Sequence, residues 1–418
     1  MDQKRVCTGV VGAGAISDIY LKNMIHRFDC LSVKSICAGH IESARKKAQI
    51  YGLQAVTMEE MMNDPEIRLI VNLTPAHVHY SVIREALEHG KHVYTEKTLT
   101  DELEKSEELV RLAREKGLYL ASAPDTFMGA ALQTARDAIE RGMLGEIHSF
   151  AVSANRNNDI LLCIADFLRQ PGGGIVCDYG VYYVTALVSL LGPAARVGSI
   201  VGHPYPVHRN IVPGTPLYGQ VMDTPNESQV NAVIQLESGV TGTFHIDADS
   251  VTEDQAYFTI YGTKGILFLT DSNQFGGEVR FLPNTMDPRE KQELCVLPAV
   301  NEYSDNCRGI GPADLADTIL NGTPLRPSGE MAYHVHEILN AMLAGGGLGA
   351  FTDIRSSCER PETFRAERGT DSESDPVRIR KSEESERVRN PGSTAAGEDN
   401  PAEDCPDFLF LSDRGLSD

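Results

Sequence analysis

The strongest constraint on the fold is a regular alternation of short apolar runs with amphipathic stretches across residues 5–123. The runs are apolar almost throughout, which is typical of strands buried on both faces of a parallel sheet. These predicted strands are 6–11, 32–37, 69–73, 92–95 and 118–122. The stretches between them have helical spacing and lie at 16–27, 42–51, 77–89 and 101–116. This βαβ rhythm predicts an α/β fold with a doubly wound parallel sheet over residues 1–123.

At 418 residues the chain is too long for a single hydrophobic core, and its pattern changes after residue 123. Short or alternating apolar runs then predict an α+β domain with a mostly antiparallel open sheet over residues 124–360. The predicted strands are 147–154, 230–236, 240–246, 256–261 and 266–269, and the predicted helices are 129–141, 184–191, 311–320 and 329–343. The last two helices are expected to close this second domain.

Two further segments differ from the rest of the chain. The loop 202–227 is too long and proline-rich to serve only as a connector, so we expect it to fold over something, which the sequence does not identify. Residues 361–418 are rich in Ser, Glu, Asp, Arg, Pro and Gly and contain few core-forming side chains. This composition predicts an acidic, disordered tail.

Composition excludes some classes of partner. The net charge of −21 argues against nucleic acid, because phosphate binding needs a basic surface. The longest apolar runs are near ten residues, too short for a membrane span, and the polar N-terminus predicts no signal peptide. Nine cysteines without paired spacing predict reduced thiols in a cytoplasmic protein, and no metal site is predicted.

A glycine-rich turn follows the first predicted strand and opens the first helix. Gly12 permits a tight turn, and Gly14 allows a pyrophosphate to approach the backbone. Ala15 and Ile16 complete the turn, where free N–H groups and the helix dipole favour an anion. Ser17 stands in place of a third glycine. The position of this motif predicts a Rossmann domain that binds a dinucleotide, although such turns also serve strand–helix packing.

The second predicted strand ends at Ala38 without the acidic residue that usually binds the adenosine ribose of NAD. Without that carboxylate a 2′-phosphate meets less repulsion, and His40 or Arg45 can contact it. This favours NADP slightly over NAD as the cofactor. The alternative is that His40 and Arg45 are solvated loop residues.

Two later strand ends carry further candidates. Thr74 and Pro75 are expected beneath the nicotinamide ribose, and His79 in the next helix is either a cofactor contact or a structural histidine. Lys97 ends the next strand on the edge where open α/β sheets bind ligands. It can donate to a substrate oxygen and stabilise negative charge, with Glu96 orienting it. The alternative is an ordinary surface Glu-Lys pair.

In the second domain, the glycine run 172–174 precedes an apolar helix and allows close approach to a ligand. Asp178 and Tyr182 are four residues apart, so on a helix they share one face and can both point at a substrate. The alternative is that Asp178 caps the helix and Tyr182 belongs to the core.

From Val6 to about Arg360 the chain resembles the glucose–fructose oxidoreductase/inositol dehydrogenase family (Gfo/Idh/MocA). The resemblance rests on motifs in the expected order: the turn 12–17, Thr74-Pro75 with His79, Glu96-Lys97, the glycine run 172–174 with Asp178, and Tyr261-Gly262-Thr263-Lys264-Gly265. In addition, Ala123-Pro124-Asp125-Thr126-Phe127 resembles a variant from one bacterial branch. The resemblance implies an NAD- or NADP-dependent oxidoreductase acting on a sugar, cyclitol or related polyol. It also implies a homo-oligomer, a dimer or tetramer, whose open sheets often form the interface.

By this resemblance Lys97 is the catalytic lysine, and Asp178 and Tyr182 occupy the family's substrate-side Asp and His positions. Thr98 departs from the family's proline and implies a looser turn. Tyr182 departs from the histidine, so the general acid/base is open between Tyr182 and Asp178. A tyrosine hydroxyl has an ordinary pKa of about 10, so nearby positive charge favours the phenolate that a base requires.

Two other functional classes remain open at this point. One is a glycosidase or lyase that uses tightly held NAD for transient oxidation. The other is a regulatory protein that keeps the fold and binds a dinucleotide without catalysis. Substrate identity is expected to reside in the loop 202–227 and in residues 155–168.

Overall fold

A computed structural model of the chain describes residues 5–164, 166–170, 173–215, 218–252, 255–285, 287, 289, 291–345, 350–364 and 380–381. Apart from residues 361–364 and 380–381, the predicted disordered tail lies outside the described residues. Gly172 of the glycine run also lies outside them.

The first sheet has six parallel strands in the order β3-β2-β1-β4-β5-β6. This order confirms the predicted Rossmann sheet, and it reverses between β1 and β4, where ligands bind in such folds. The strands are β1 (Val6–Val11), β2 (Leu31–Cys37), β3 (Gln54–Ala55), β4 (Leu69–Asn72), β5 (His92–Thr95) and β6 (Leu120–Ser122). The helices between them are α1 (Ser17–His26), α2 (Ile41–Tyr51), α3 (Met58–Asn63), α4 (Ala76–Glu88) and α5 (Leu103–Lys116).

Strand register brings the candidate residues of this domain to one edge. Val11 pairs with both Cys37 and Asn72, and Asn72 pairs with Thr95. Because the strands are parallel, the residues that follow these four positions all emerge at the carboxyl ends of the strands, which lie together at one end of the sheet. The glycine turn, the end of β2, the Thr74 loop and Lys97 therefore surround one crevice.

The second sheet has the order β17-β8-β11-β12-β7-β13-β14-β15-β16-β18. Only β12 and β7 pair in parallel among these neighbours, which confirms the mostly antiparallel sheet. Its strands are β7 (Ile147–Asn155), β8 (Ala194–Gly202), β11 (Gln229–Leu236), β12 (Thr241–Asp247), β13 (Ala256–Gly262), β14 (Gly265–Leu269), β15 (Arg280–Pro283), β16 (Cys295–Val296), β17 (Thr352–Asp353) and β18 (Arg380–Lys381). The helices after β6 are α6 (Ala130–Glu140), α7 (Asn158–Ile164), α8 (Val181–Leu191), α9 (Ile310–Asn321) and α10 (Gly329–Leu343).

One face of the second sheet is covered by helices, and the opposite face carries exposed apolar residues. Helix α8 is buried from Val181 to Leu190, which explains its almost uninterrupted apolar sequence. On the open face, Ile200 is 75% exposed, Val233 44% and Tyr257 52%. Cross-strand register places these three side chains on the same face.

Several features differ from the sequence prediction, and three of them bear on how the domains are built. Strand β8 was not predicted, because Arg196 and Ser199 interrupt its apolar pattern. The loop 202–227 contains a hairpin of β9 (Val207–Arg209) and β10 (Val221–Asp223). Helix α9 was expected to close the second domain, but its Leu315 and Ala316 belong to the core of the first.

The sequence predicts no membrane span, and the length and hydropathy of the helices that the structure describes bear on this prediction. None of them is both long enough and apolar enough to cross a bilayer.

Candidate active site

The glycine turn between β1 and α1 is shaped for close backbone approach. Gly12 has φ of 112°, and a Cβ there would lie 2.7 Å from the backbone carbonyl carbon of Leu73. The Gly12 N–H donates to the Cys37 carbonyl at 2.8 Å. A side chain at position 12 would therefore push the turn away from the end of β4, so glycine is required there.

The outer part of the same turn is open. A Cβ on Gly14 would meet nothing within 4 Å, and Ala15 and Ile16 are exposed. Ser17 stabilises the turn by donating its hydroxyl to the Gly14 carbonyl at 2.6 Å. Helix α1 begins without a side-chain cap, although the N–H groups of Ser17 and Asp18 donate to the Gly14 and Ala15 carbonyls at 3.0 and 3.4 Å. The positive end of the helix dipole lies at this turn and favours an anion there. These residues fit a dinucleotide pyrophosphate.

At the end of β2, the residues predicted to contact the ribose side of the dinucleotide lie at the rim of the crevice. Ala38 is half-buried, and His40 and Arg45 are exposed. The Arg45 guanidinium donates to the Glu42 carboxylate at 2.5 Å. Such an exposed pair contributes only about 0–1 kcal/mol, so Arg45 can leave Glu42 at little cost if a phosphate is present.

The Thr74 loop is held by buried hydrogen bonds. The Asn72 side-chain oxygen accepts from the Thr74 hydroxyl at 2.7 Å, and its amide donates to the Thr95 hydroxyl at 3.0 Å. Pro75 directly precedes α4 and starts that helix without offering an N–H group. Thr74 and Pro75 thus have a fixed position between the glycine turn and the end of β5.

His79 connects two loops from beneath the crevice. Its ring is fully buried, with Nδ1 2.7 Å from the Thr98 carbonyl oxygen and Nε2 2.7 Å from the Thr74 carbonyl oxygen. Burial lowers the pKa of His79, although the two carbonyl groups oppose that shift. The ring nitrogens are occupied by protein backbone, so we interpret His79 as a residue that positions both loops.

The turn that contains Lys97 is well fixed despite the departure at Thr98. The peptide bond between Lys97 and Thr98 is cis. The Thr98 hydroxyl donates to the Thr100 carbonyl at 2.8 Å, while the Thr98 carbonyl oxygen lies 2.7 Å from Nδ1 of His79. These contacts do not fit the expectation of a looser turn.

Glu96 orients Lys97 through the backbone. Its carboxylate accepts from the Lys97 N–H at 3.1 Å and from the Tyr20 hydroxyl at 2.8 Å. Only 9% of Glu96 is exposed, so the interpretation as an ordinary surface Glu-Lys pair does not fit.

The Lys97 ammonium group reaches across to the second domain. Its Nζ donates to the Asp178 carboxylate at 2.5 Å and to the Asp178 carbonyl at 2.8 Å. Burial by itself would lower the pKa of Lys97, but the negative charges of Asp178 and Glu96 raise it above the ordinary lysine value. Lys97 is therefore held as a cation at the junction of the two domains.

Asp178 and Tyr182 face this ammonium group from the start of α8. Residues Val176–Gly180 form a π-helical turn, and α8 follows directly at Val181. The Lys97 Nζ lies 5.4 Å from the centroid of the Tyr182 ring. The structure thus brings together the three predicted catalytic residues, with a π-turn where a regular helix was expected.

Arg308 is a neighbour of Tyr182 that the sequence reasoning missed. The Nη2 group of Arg308 donates to the Tyr182 hydroxyl oxygen at 3.3 Å and to the Asn273 side-chain oxygen at 2.9 Å. Burial acts to lower the pKa of Arg308, but the negative partners around it, including Glu96, raise it. Arg308 is remote in sequence from every motif. The local feature of the sequence that could have drawn attention to it is its position before Gly309, where α9 begins.

The glycine run and the proline-rich loop meet near Asp178. The Glu227 carboxylate lies against Gly174, where a Cβ would collide with it, and it accepts from the Val176 N–H at 3.1 Å. Asn226 donates to the carbonyls of Leu168 and Gln170 at 2.6 and 2.8 Å. The loop therefore contacts residues 168, 170, 174 and 176, and Glu227 uses the space that was expected to admit a ligand.

Comparison with known proteins places the chain in a family. Residues 6–123 match the Gfo/Idh/MocA oxidoreductase family with its NAD-binding Rossmann fold, and residues 132–268 match the family's C-terminal domain. The chain is 32% identical over 188 residues to the oxidoreductase YhhX of Escherichia coli, which covers 44% of this chain and 52% of that protein. The matched region thus spans about half the length of that relative.

Two further matches extend over more of the chain. It is 27% identical over 285 residues to a dTDP-3,4-didehydro-2,6-dideoxy-alpha-D-glucose 3-reductase of Streptomyces violaceoruber, covering 65% of this chain and 80% of that protein. A levoglucosan dehydrogenase in complex with NADH superposes with a TM-score of 0.73 at 19% identity, covering 84% of this chain and 100% of that one. With both of its domains matched, the chain belongs to the Gfo/Idh/MocA family of NAD(P)-binding oxidoreductases.

Proposed function

We propose that this protein transfers a hydride between a nicotinamide cofactor, NAD or NADP, and the CH–OH carbon of a sugar, cyclitol or related polyol. The observation that carries the proposal is the contact of the Lys97 ammonium with Asp178 and Tyr182, beside the crevice that the glycine turn borders. A bound nicotinamide would supply the hydride acceptor or donor. The names of the relatives, a sugar reductase and a levoglucosan dehydrogenase, support the substrate class.

In this proposal Lys97 donates a hydrogen bond to the reacting oxygen and stabilises its negative charge. Tyr182 accepts the hydroxyl proton in the oxidative direction and returns it in reduction. Because the Arg308 guanidinium donates to the Tyr182 oxygen, the hydrogen of that hydroxyl remains available to the substrate. Asp178 orients the substrate and keeps Lys97 in place.

Asp178 is the competing general acid/base, since its carboxylate already lies at the ammonium group. The Tyr182→Phe and Asp178→Asn variants separate the two assignments. Both keep the size of the side chain and remove one proton-carrying group.

The cofactor side of the proposal uses the residues around the crevice. Gly12, Gly14, Ala15 and Ile16 would bind the pyrophosphate, and Thr74 and Pro75 would lie beneath the nicotinamide ribose. Ala38, His40 and Arg45 would face the adenosine ribose or its 2′-phosphate. Glu96 and His79 would act by positioning Lys97 and the Thr74 loop.

The decisive experiment follows the absorbance of the reduced cofactor against a panel of sugars and polyols, with NAD and NADP in parallel. Cofactor-dependent oxidation or reduction of at least one substrate supports the proposal. Loss of turnover in Tyr182→Phe with retained cofactor binding assigns the proton to Tyr182. Nearly full turnover in that variant would transfer the role to Asp178.

Two results of this assay would contradict the proposal and favour another function. Substrate cleavage without net change in reduced cofactor would favour transient oxidation by a glycosidase or lyase. Cofactor binding without conversion of any panel member would favour a regulatory dinucleotide-binding protein.

We also propose that the protein is a cytoplasmic homo-oligomer, a dimer or tetramer. The scattered cysteines support the compartment, and the exposed apolar side chains of Ile200, Val233 and Tyr257 support association through the open sheet face. Sedimentation velocity tests the assembly. A species of dimer mass or larger that Ile200→Glu dissociates is expected, and a monomeric wild-type protein would contradict it.

A further inference from the structure

Arg156 is a cation without a hydrogen-bonding partner beside the candidate active site. Its Nε is buried and unpaired, and its guanidinium makes no hydrogen bond or ion pair to any residue within the described ranges. Leaving a buried donor unpaired is unfavourable. Among the guanidinium nitrogens, Nε is the buried one, whereas Arg156 as a whole is half-buried, so its two terminal N–H groups are the donors open to a partner from outside the chain.

The side chain is held in place even though it is unpaired. Its guanidinium carbon lies 4.6 Å from the centroid of the Tyr179 ring, so the ring supports the charged plane. The Arg156 N–H donates to the Asp247 carbonyl at 2.8 Å, and its carbonyl accepts from the Ser250 N–H at 3.2 Å. The backbone of Arg156 is thus fixed to the end of β12, and the guanidinium is not on a free loop.

Acidic side chains at the end of β12 have other partners. The Asp247 carboxylate accepts from the Asp249 N–H at 2.9 Å. The Asp249 carboxylate accepts from the Ser228 hydroxyl at 2.6 Å and lies 3.4 Å from the ring of His208. Neither carboxylate forms an ion pair with Arg156 within the described residues, and the second oxygen of Asp249, Oδ1, is itself buried without a hydrogen-bond partner.

The position of Arg156 relates it to the reacting groups. Tyr179 directly follows Asp178, and its ring centroid is 6.3 Å from that of Tyr182. Tyr182 in turn lies 5.4 Å from the Lys97 Nζ. Two neighbouring aromatic rings therefore connect the surroundings of the guanidinium with those of the ammonium group. A substrate that contacts both cations would extend beyond its reacting hydroxyl.

Arg308 provides an internal comparison. Its guanidinium donates to Asn273, Asn306 and Tyr182, so its donors are used within the protein. Arg308 is suited to positioning Tyr182, whereas Arg156 has donors left for a ligand.

We propose that Arg156 binds an oxyanion on the substrate, so the preferred substrates are sugars or polyols that carry a carboxylate or a phosphate. A guanidinium presents parallel N–H donors that match two oxygens of either group. This inference rests on the proposed function, because it assigns the substrate class of the same site. It predicts selectivity for acidic sugars in a protein whose overall charge would otherwise repel them.

The test measures binding and turnover separately with defined probes. The full-length protein saturated with NADH or NADPH is titrated with D-glucose, D-glucuronate and D-glucose 1-phosphate, and binding is followed by calorimetry. Wild-type protein is expected to bind at least one of the two anionic probes about 10-fold or more tightly than glucose, since one charged hydrogen-bonded contact contributes about 1.5–3 kcal/mol. Tighter binding of glucuronate would identify a carboxylate as the preferred group, and tighter binding of glucose 1-phosphate would identify a phosphate.

Variants then test whether Arg156 is responsible for the preference for anionic probes. Arg156→Gln is expected to abolish it while leaving the dissociation constant of the cofactor unchanged, and Arg156→Lys is expected to retain part of it. Arg196→Gln is the matched control, because Arg196 also stacks on an aromatic ring, 5.1 Å from the Phe351 centroid, but on β8 away from the site. Equal binding of all three probes by wild-type protein, or a preference that survives Arg156→Gln, would overturn the inference.

The turnover arm distinguishes the two proposals. Anion preference that depends on Arg156, without conversion of any probe or panel sugar, would contradict the hydride-transfer function and keep the anion site. Conversion of neutral sugars without a preference for anions would support the hydride-transfer function and contradict the anion site.

Discussion

Replacing Asp125 by Asn is expected to remove a pH dependence of stability that this buried carboxyl group imposes. Asp125 is 1% exposed, and burial is the main reason why its pKa is raised from 3.8 to about 6. The negative charge of Glu96 adds to the increase. Arg308 and the N–H groups of Gly309 and Gly311 oppose it, the two amides donating to Asp125 at 3.3 and 3.0 Å.

The sign and the size of the effect follow from linkage. A carboxyl whose pKa is higher in the folded than in the unfolded chain binds its proton more tightly when folded. Its contribution to stability is present below about pH 4 and is lost as the pH rises through about 6. The interval between pKa values of 3.8 and about 6 corresponds to about 3 kcal/mol in the free energy of unfolding.

The assay is urea unfolding of wild type and Asp125→Asn between pH 4 and pH 8. An Asn side-chain oxygen can still accept from Gly309 and Gly311, so the variant keeps these contacts without a charge. Its stability relative to wild type should increase by about 2–3 kcal/mol from pH 4 to pH 8, because the carboxyl of the unfolded chain is already partly ionised at pH 4. Asp29→Asn, at a fully exposed position, is the control and should change little. Parallel stability curves for wild type and Asp125→Asn would refute the reasoning.

Two other substitutions test the crevice and the tyrosine. Gly12→Ala should cost about 1–3 kcal/mol in thermal unfolding and weaken NADH binding, because its Cβ meets the Leu73 backbone at positive φ. Gly52→Ala is the control with positive φ but open space, and unchanged NADH affinity in Gly12→Ala would contradict the assignment. Arg308→Gln should lower kcat/KM about 10-fold or more without changing cofactor affinity, because Tyr182 loses a charged donor. Full kcat/KM in steady-state assays would remove Arg308 from the mechanism.

The Rossmann half of the fold could be predicted because its signals are local. Strands such as Leu69–Asn72 are buried at every position, and the sequence is correspondingly apolar. Strand β8 was missed because a half-exposed edge region tolerates Arg196 and Ser199. The placement of α9 on the first core depends on long-range packing, which periodicity does not encode.

The candidate site divides in the same way. Gly12 and Lys97 follow strands directly, so the parallel order of the sheet determines where they lie. The meeting of Lys97 with Asp178 was anticipated only through the family resemblance, because the two residues belong to different domains. Arg308 and Glu227 reach the site from remote segments without a motif, and only coordinates reveal their contacts.

The most direct test of the account is hydride transfer by Lys97→Met at saturating cofactor, measured in rapid-mixing experiments on a substrate from the panel. Removing the ammonium donor should slow the chemical step by roughly 10²–10³-fold. The dissociation constant of the cofactor should stay within about twofold, since Lys97 acts on the reacting oxygen. Lys105→Met, a surface lysine paired with Asp101 and Glu102, should transfer hydride at the wild-type rate. A wild-type rate in Lys97→Met would contradict the central claim.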